Sequence, residues 1–62
     1  MRTGYEIRSG KRAVARKYSA TPREALIEYL RGIGCRDDEI RTMGMHVVSW
    51  RGAVFTAVAV PR

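Results

Sequence analysis

Sixty-two residues carry twelve Lys and Arg against six Asp and Glu, a net charge of +6, with one cysteine, Cys35, and one histidine, His46. A chain this short makes a single small domain that buries only about 60% of the surface its unfolded form exposes, and its one cysteine and one histidine exclude an internal disulfide and the usual four-ligand zinc set, so a partner is the remaining route to added stability. The opening MRTGYEIRSGKR has no apolar run of the signal-peptide kind, and nowhere do eighteen uncharged apolar residues stand together, so the expectation is a soluble cytoplasmic chain with no membrane span.

In chain order, two strands come first, over 5–9 and 13–19, with Gly10 and Lys11 between them. Glycine at the first central position suits a two-residue hairpin turn with a positive φ there. That register predicts Ile7 opposite Val14 on one face, with Glu6, Arg8, Ala13, Ala15 and Lys17 on the other. The stretch TPREALIEYLRGIG then predicts a helix over 22–33. Thr21 caps it, Pro22 takes its first position, Glu24 stands three residues after the cap, and Gly32 or Gly34 ends it. Ala25, Leu26, Tyr29, Leu30 and Ile33 fall on one arc, so the helix has one buried side.

Residues 37–43 predict a single helical turn, because Asp37 is placed to cap, acidic residues fill its start and Gly44 stops it. Two further strands, over 45–50 and 53–60, fold about Arg51-Gly52. A two-residue turn there puts Met45, Val47, Val54, Thr56, Val58 and Val60 on one face and His46, Val48, Trp50, Phe55, Ala57 and Ala59 on the other. The branched set is the expected floor for the helix, which leaves Trp50 and Phe55 pointing away from it. The predicted architecture is one α+β domain over 1–62 in β-β-α-β-β order, two hairpins forming an antiparallel sheet with the helix on one face. Strand order within the sheet stays open at this level.

Charge is polarised along the chain. Residues 1–23 hold Arg2, Arg8, Lys11, Arg12, Arg16, Lys17 and Arg23 against Glu6 alone, whereas 24–44 hold five acidic residues against three arginines. A pole of this kind attracts polyanions and speeds encounter with them. The function expected is sequence-indifferent nucleic-acid binding, DNA or RNA, in which Arg8, Lys11, Arg12, Arg16 and Lys17 meet phosphate and Trp50 and Phe55 stack bases. The rival expectation is a homodimeric interaction or regulatory module that uses the sheet face the helix leaves bare. Each residue also has a plainer reading: Trp50 as an indole folded over neighbouring alanines, Phe55 as core if the turn is one residue longer, and the cations of 8–17 as solvation of a strand edge.

Catalysis is not expected. His46 has no nucleophile or carboxylate placed with it by the sequence, and Cys35 follows a helix end where a thiol is ordinarily buried. Asp37, Asp38 and Glu39 are consecutive rather than spaced as in a calcium loop, and helix capping accounts for them. SGKRAVARK lacks the second glycine and the Ser or Thr of a phosphate-binding loop, which removes nucleotide hydrolysis. No cofactor, metal or small-molecule substrate is expected.

Overall fold

Four residues, Ser9 to Arg12, reverse the chain between β1 (Thr3–Ser9) and β2 (Arg12–Ser19). In the computed structural model, which describes residues 2–61, Ser9 pairs with Arg12 and Gly10 takes φ +63°. The two-residue turn is as the glycine predicts. Beyond it the register departs from expectation: Arg8 pairs with Ala13 but Ile7 pairs with Ala15, so Val14 is the extra residue of a β-bulge. One inserted residue exchanges faces for everything after it. Ala15, Lys17 and Ser19 therefore join Ile7 and Tyr5, while Arg16 and Tyr18 lie across from Glu6 and Gly4.

Helix α1 (Pro22–Gly32) begins as its sequence dictates, with the Thr21 hydroxyl accepting the Glu24 N–H at 3.1 Å. Its end is set by Gly34 at φ +95°. The Cys35 N–H donates to the Leu30 carbonyl at 2.9 Å and the Gly34 N–H to that of Arg31 at 3.1 Å. These are the two bonds of a Schellman cap, whose usual apolar contact is supplied here by the buried pair Leu30 and Cys35. At eleven residues, α1 is too short to cross a membrane, and no other helix of the described residues is long and apolar enough to do so.

The predicted helical turn at 37–43 is corrected. Only Asp37–Glu39 winds, as a 3-10 turn, and Ile40–Gly44 is strand β3. Asp37 does not cap it: Arg36 precedes the turn without a side-chain hydrogen bond, and the Glu39 N–H closes the turn by donating to the Arg36 carbonyl at 3.0 Å. Tertiary pairing decides the conformation of 40–44, since β4 (Val47–Trp50) would otherwise leave one side of its backbone without partners. Ile40 pairs with Trp50 and Thr42 with Val48, with Met43 as the extra residue of a second bulge.

Arg51 and Gly52, both at positive φ (49° and 81°), make the tight turn into β5 (Ala53–Ala59), and Trp50 pairs with Ala53 across it. The strand order is β2-β1-β5-β4-β3, all neighbours antiparallel, so the last strand is central. The β-β-α-β-β order holds, with β3 added at the far edge.

The two sets of side chains on the second hairpin are those the turn predicts, but the covered face is the opposite one. Val48, Phe55 and Ala57 pack with Tyr5, Ile7, Ala25, Leu26, Leu30 and Cys35 in the core, and Trp50, Ala53, Ala15, Tyr29 and Ile40 pack around it. Val47, Val54 and Val58 face outward. Two physical reasons favour this arrangement. Burying Phe55 and Trp50 removes far more apolar surface from water than burying valines. Ala15, Ala53 and Ala57 leave room for the helix to approach between the larger side chains, as interdigitating packing requires. Tyr29 of α1 meets the Phe55 ring with centroids 6.1 Å apart at 52°.

Candidate nucleic-acid interface

The fold gathers five predicted cations along the first hairpin and separates them from the two predicted aromatics. Lys11 sits in the turn, and Arg12 is exposed beside it. Arg8 and Arg16 lie on the sheet face that α1 leaves open, where both are exposed. Lys17, half-buried, lies on the helix side opposite Tyr5. Because β2 is an edge strand, its alternating side chains place cations above and below one margin of the sheet. The result is a basic rim rather than a flat basic patch. The Gly10-Lys11 turn lies alongside the first residues of β5, since Ser9 already pairs with Phe55, so the hairpin does not stand clear of the sheet as a free arm.

Trp50 and Phe55 do not join this rim. Phe55 is 6% exposed beneath the helix, and its burial needed no longer turn, only the choice of the other face. Trp50 is half-buried at the far side of β5, its ring covered by the Arg51 guanidinium 4.9 Å from the centroid. The indole N–H is buried without a hydrogen-bond partner. Neither ring offers a free face to a base. The exposed aromatic is instead Tyr18, 62% exposed on the open face and lying over Gly4, where an added Cβ would come 3.1 Å from its ring. Sequence reasoning missed it because the Val14 bulge, which turns Tyr18 to that face, has no glycine to announce it.

Ion pairing decides where positive charge remains uncompensated. Arg31 donates two hydrogen bonds to the Asp37 carboxylate, Arg36 lies 3.5 Å from Asp38, and Arg51 lies 3.2 Å from Glu39. The acidic run at 37–39 is thus neutralised by its own surroundings, and the Arg31 hydrogen bonds hold the Asp37 carboxyl below the usual carboxylate range. On the first hairpin, Glu6 pairs with Arg8 at 2.5 Å. Lys11, Arg12, Arg16 and Lys17 have no ion-pair partner among the described residues. Arg23 and Arg41 also lack one, so what sets the first hairpin apart is that four such cations stand together along one edge.

Elsewhere the surface gives less. A groove of about 510 Å³ at the start of α1 is lined by Arg2, Tyr18, Glu24, Glu28 and Arg31, a balanced mixture of charges in which the Ser19 hydroxyl donates to Glu28 at 3.3 Å. His46 is exposed, and its carbonyl accepts the Ala57 N–H at 3.0 Å. Burial pushes the Cys35 thiol pKa up, with Arg51 opposing the shift. Among the described residues no three His, Cys, Asp or Glu side chains stand close enough to hold a metal ion. No protein family matches the chain, and neither a curated protein nor a solved structure is similar to it.

Proposed function

We propose that this chain is a non-catalytic, cytoplasmic nucleic-acid-binding domain that grips the phosphate backbone along the β2 edge. The observation that carries the reading is the set of four cations, Lys11, Arg12, Arg16 and Lys17, left without carboxylate partners while the acidic run is fully paired. Cations above and below one sheet margin, with Lys11 in the turn beside them, can each meet a phosphate without inserting into a groove. With Phe55 beneath the helix and Trp50 packed at the core margin under Arg51, the exposed Tyr18 beside Lys17 is the ring placed to meet a base, and recognition is chiefly of charge and spacing. Arg8 contributes less than its position suggests, because Glu6 already holds it.

Four phosphate contacts predict a slope of log affinity against log salt of about −2.8 to −3.6, from roughly 0.7 to 0.9 per contact. Fluorescence anisotropy of a labelled oligonucleotide, single-stranded and duplex, measured over a salt series, reads this slope directly. Replacing Arg12, Arg16 and Lys17 together with Gln should reduce its magnitude to about 1 while leaving the fold intact, since these side chains are at the periphery. Absence of binding at low salt, or an unchanged slope in the triple variant, sinks the proposal.

A further inference from the structure

The open face of the sheet has a pattern of its own. Along β5 it presents Val54, Thr56 and Val58, beside Val47 of β4 and the Glu6–Arg8 pair of β1. Val54 and Val58 are 43% and 42% exposed although β5 is the central strand. Arg16 and Arg41 lie on the two outermost strands, β2 and β3. An apolar centre, electrically neutral because Glu6 holds Arg8, with cations at the margin, is the anatomy of a protein interface.

We infer that a second copy of this chain covers the open face, sheet against sheet, in a two-fold dimer. Size is the first reason. Five strands about 4.8 Å apart, with central strands about seven residues long, make a face of roughly 20 by 23 Å, so two copies bury on the order of 1,000 Å², enough for a weak, concentration-dependent pair. Chemistry is the second. Branched aliphatic side chains on a pleated surface pack well against a like sheet about 10 Å away, and the exposed ring of this face, Tyr18, stands on the edge strand β2, away from the valines of β5. A two-fold contact also brings the apolar centre of one copy onto that of the other and places Arg16 and Arg41 at the rim of the contact.

Sedimentation equilibrium over about 1–100 μM protein tests this, with no oligonucleotide present, so that its result stands apart from the phosphate-binding proposal. The wild-type chain should sediment at twice its 7.0 kDa mass toward the upper end of that range. Val58→Lys, on the open face of β5, should sediment as a monomer. The combined Val54→Thr and Val58→Thr variant keeps side-chain shape and strand preference, so it should fold, with unchanged circular dichroism, yet raise the dimer dissociation constant by about tenfold or more. That pair decides the matter if the lysine variant fails to fold. A wild-type chain that stays monomeric throughout, or a dimer equally tight in the threonine pair, overturns the inference.

Discussion

Replacing Phe55 with alanine tests which face of the sheet holds the fold together. Phe55 is 6% exposed, pairs across the sheet with Val48 and Ser9, and meets the Tyr29 ring of α1. Truncating a buried phenylalanine costs about 3–5 kcal/mol, the lost transfer energy plus the cavity left behind. A 62-residue domain at roughly 0.05–0.15 kcal/mol per residue has only about 3–9 kcal/mol in total. Phe55→Ala should therefore remove a third of the stability or more, and at the low end leave the chain mostly unfolded at 25 °C. The single tryptophan, Trp50, packs against the same core and reports unfolding through its fluorescence in a urea titration. The companion variant is Val58→Thr on the open face, studied dilute enough for the chain to be monomeric. It should cost under about 1 kcal/mol, because it empties no cavity under the helix. If Phe55→Ala lies within about 1 kcal/mol of wild type, or Val58→Thr costs as much as Phe55→Ala, the assignment of the covered face is wrong.

Particular contacts set three further outcomes. Thr21→Ala removes the hydroxyl that accepts the Glu24 N–H and should lower stability by about 1 kcal/mol in the same titration. Gly52→Ala meets no atom within 4 Å, yet its φ of +81° strains any side chain, so a loss of about 1–2 kcal/mol with no change in core packing is expected, read by thermal melts and by unaltered Trp50 emission. Because Asp37 has a folded-state pKa depressed by Arg31, its contribution is present above its unfolded value of about 3.9 and disappears as pH falls through the folded one. Asp37→Asn should thus flatten the acid limb of the stability profile below about pH 4, with a small amplitude that shrinks in salt because both groups are exposed.

Much of this fold is written in short stretches. Gly10-Lys11 and Arg51-Gly52 mark their turns because only two residues separate the flanking strands, and Thr21-Pro22 with Glu24 marks a helix start without reference to anything distant. What stayed hidden depends on long-range partners. Alternation sorts the second hairpin into two sets, but it does not say which set the helix will cover; the alanines at 15, 53 and 57 carried that information, and it is legible only once β1, β2, β4 and β5 are placed side by side. β3 was hidden because Asp37, Asp38 and Glu39 are genuine turn-formers, and the strand after them exists to complete the edge of β4. Of the candidate site, the cations were legible as charge and the aromatics were misplaced with their face.

The two edges of the sheet bear on how such a chain associates. An edge strand left straight and uncharged invites another strand, and the product is an open-ended sheet rather than a closed particle. Here β2 carries the Val14 bulge and the cations Arg12, Arg16 and Lys17, which repel the same edge of a second copy, and β3 is only five residues long with its own bulge at Met43. Growth through either edge is discouraged. The broad face is not guarded in the same way: an antiparallel sheet solvated on one side ordinarily alternates apolar inward with polar outward, yet the outward positions of β5 are Val54, Thr56 and Val58. Threonine at all three would serve a solitary domain equally well, because strand preference is kept and the helix-side core is untouched. Valine there fits a face that is covered, and with the edges blunted the proposed second copy would close the face as a pair rather than extend the sheet.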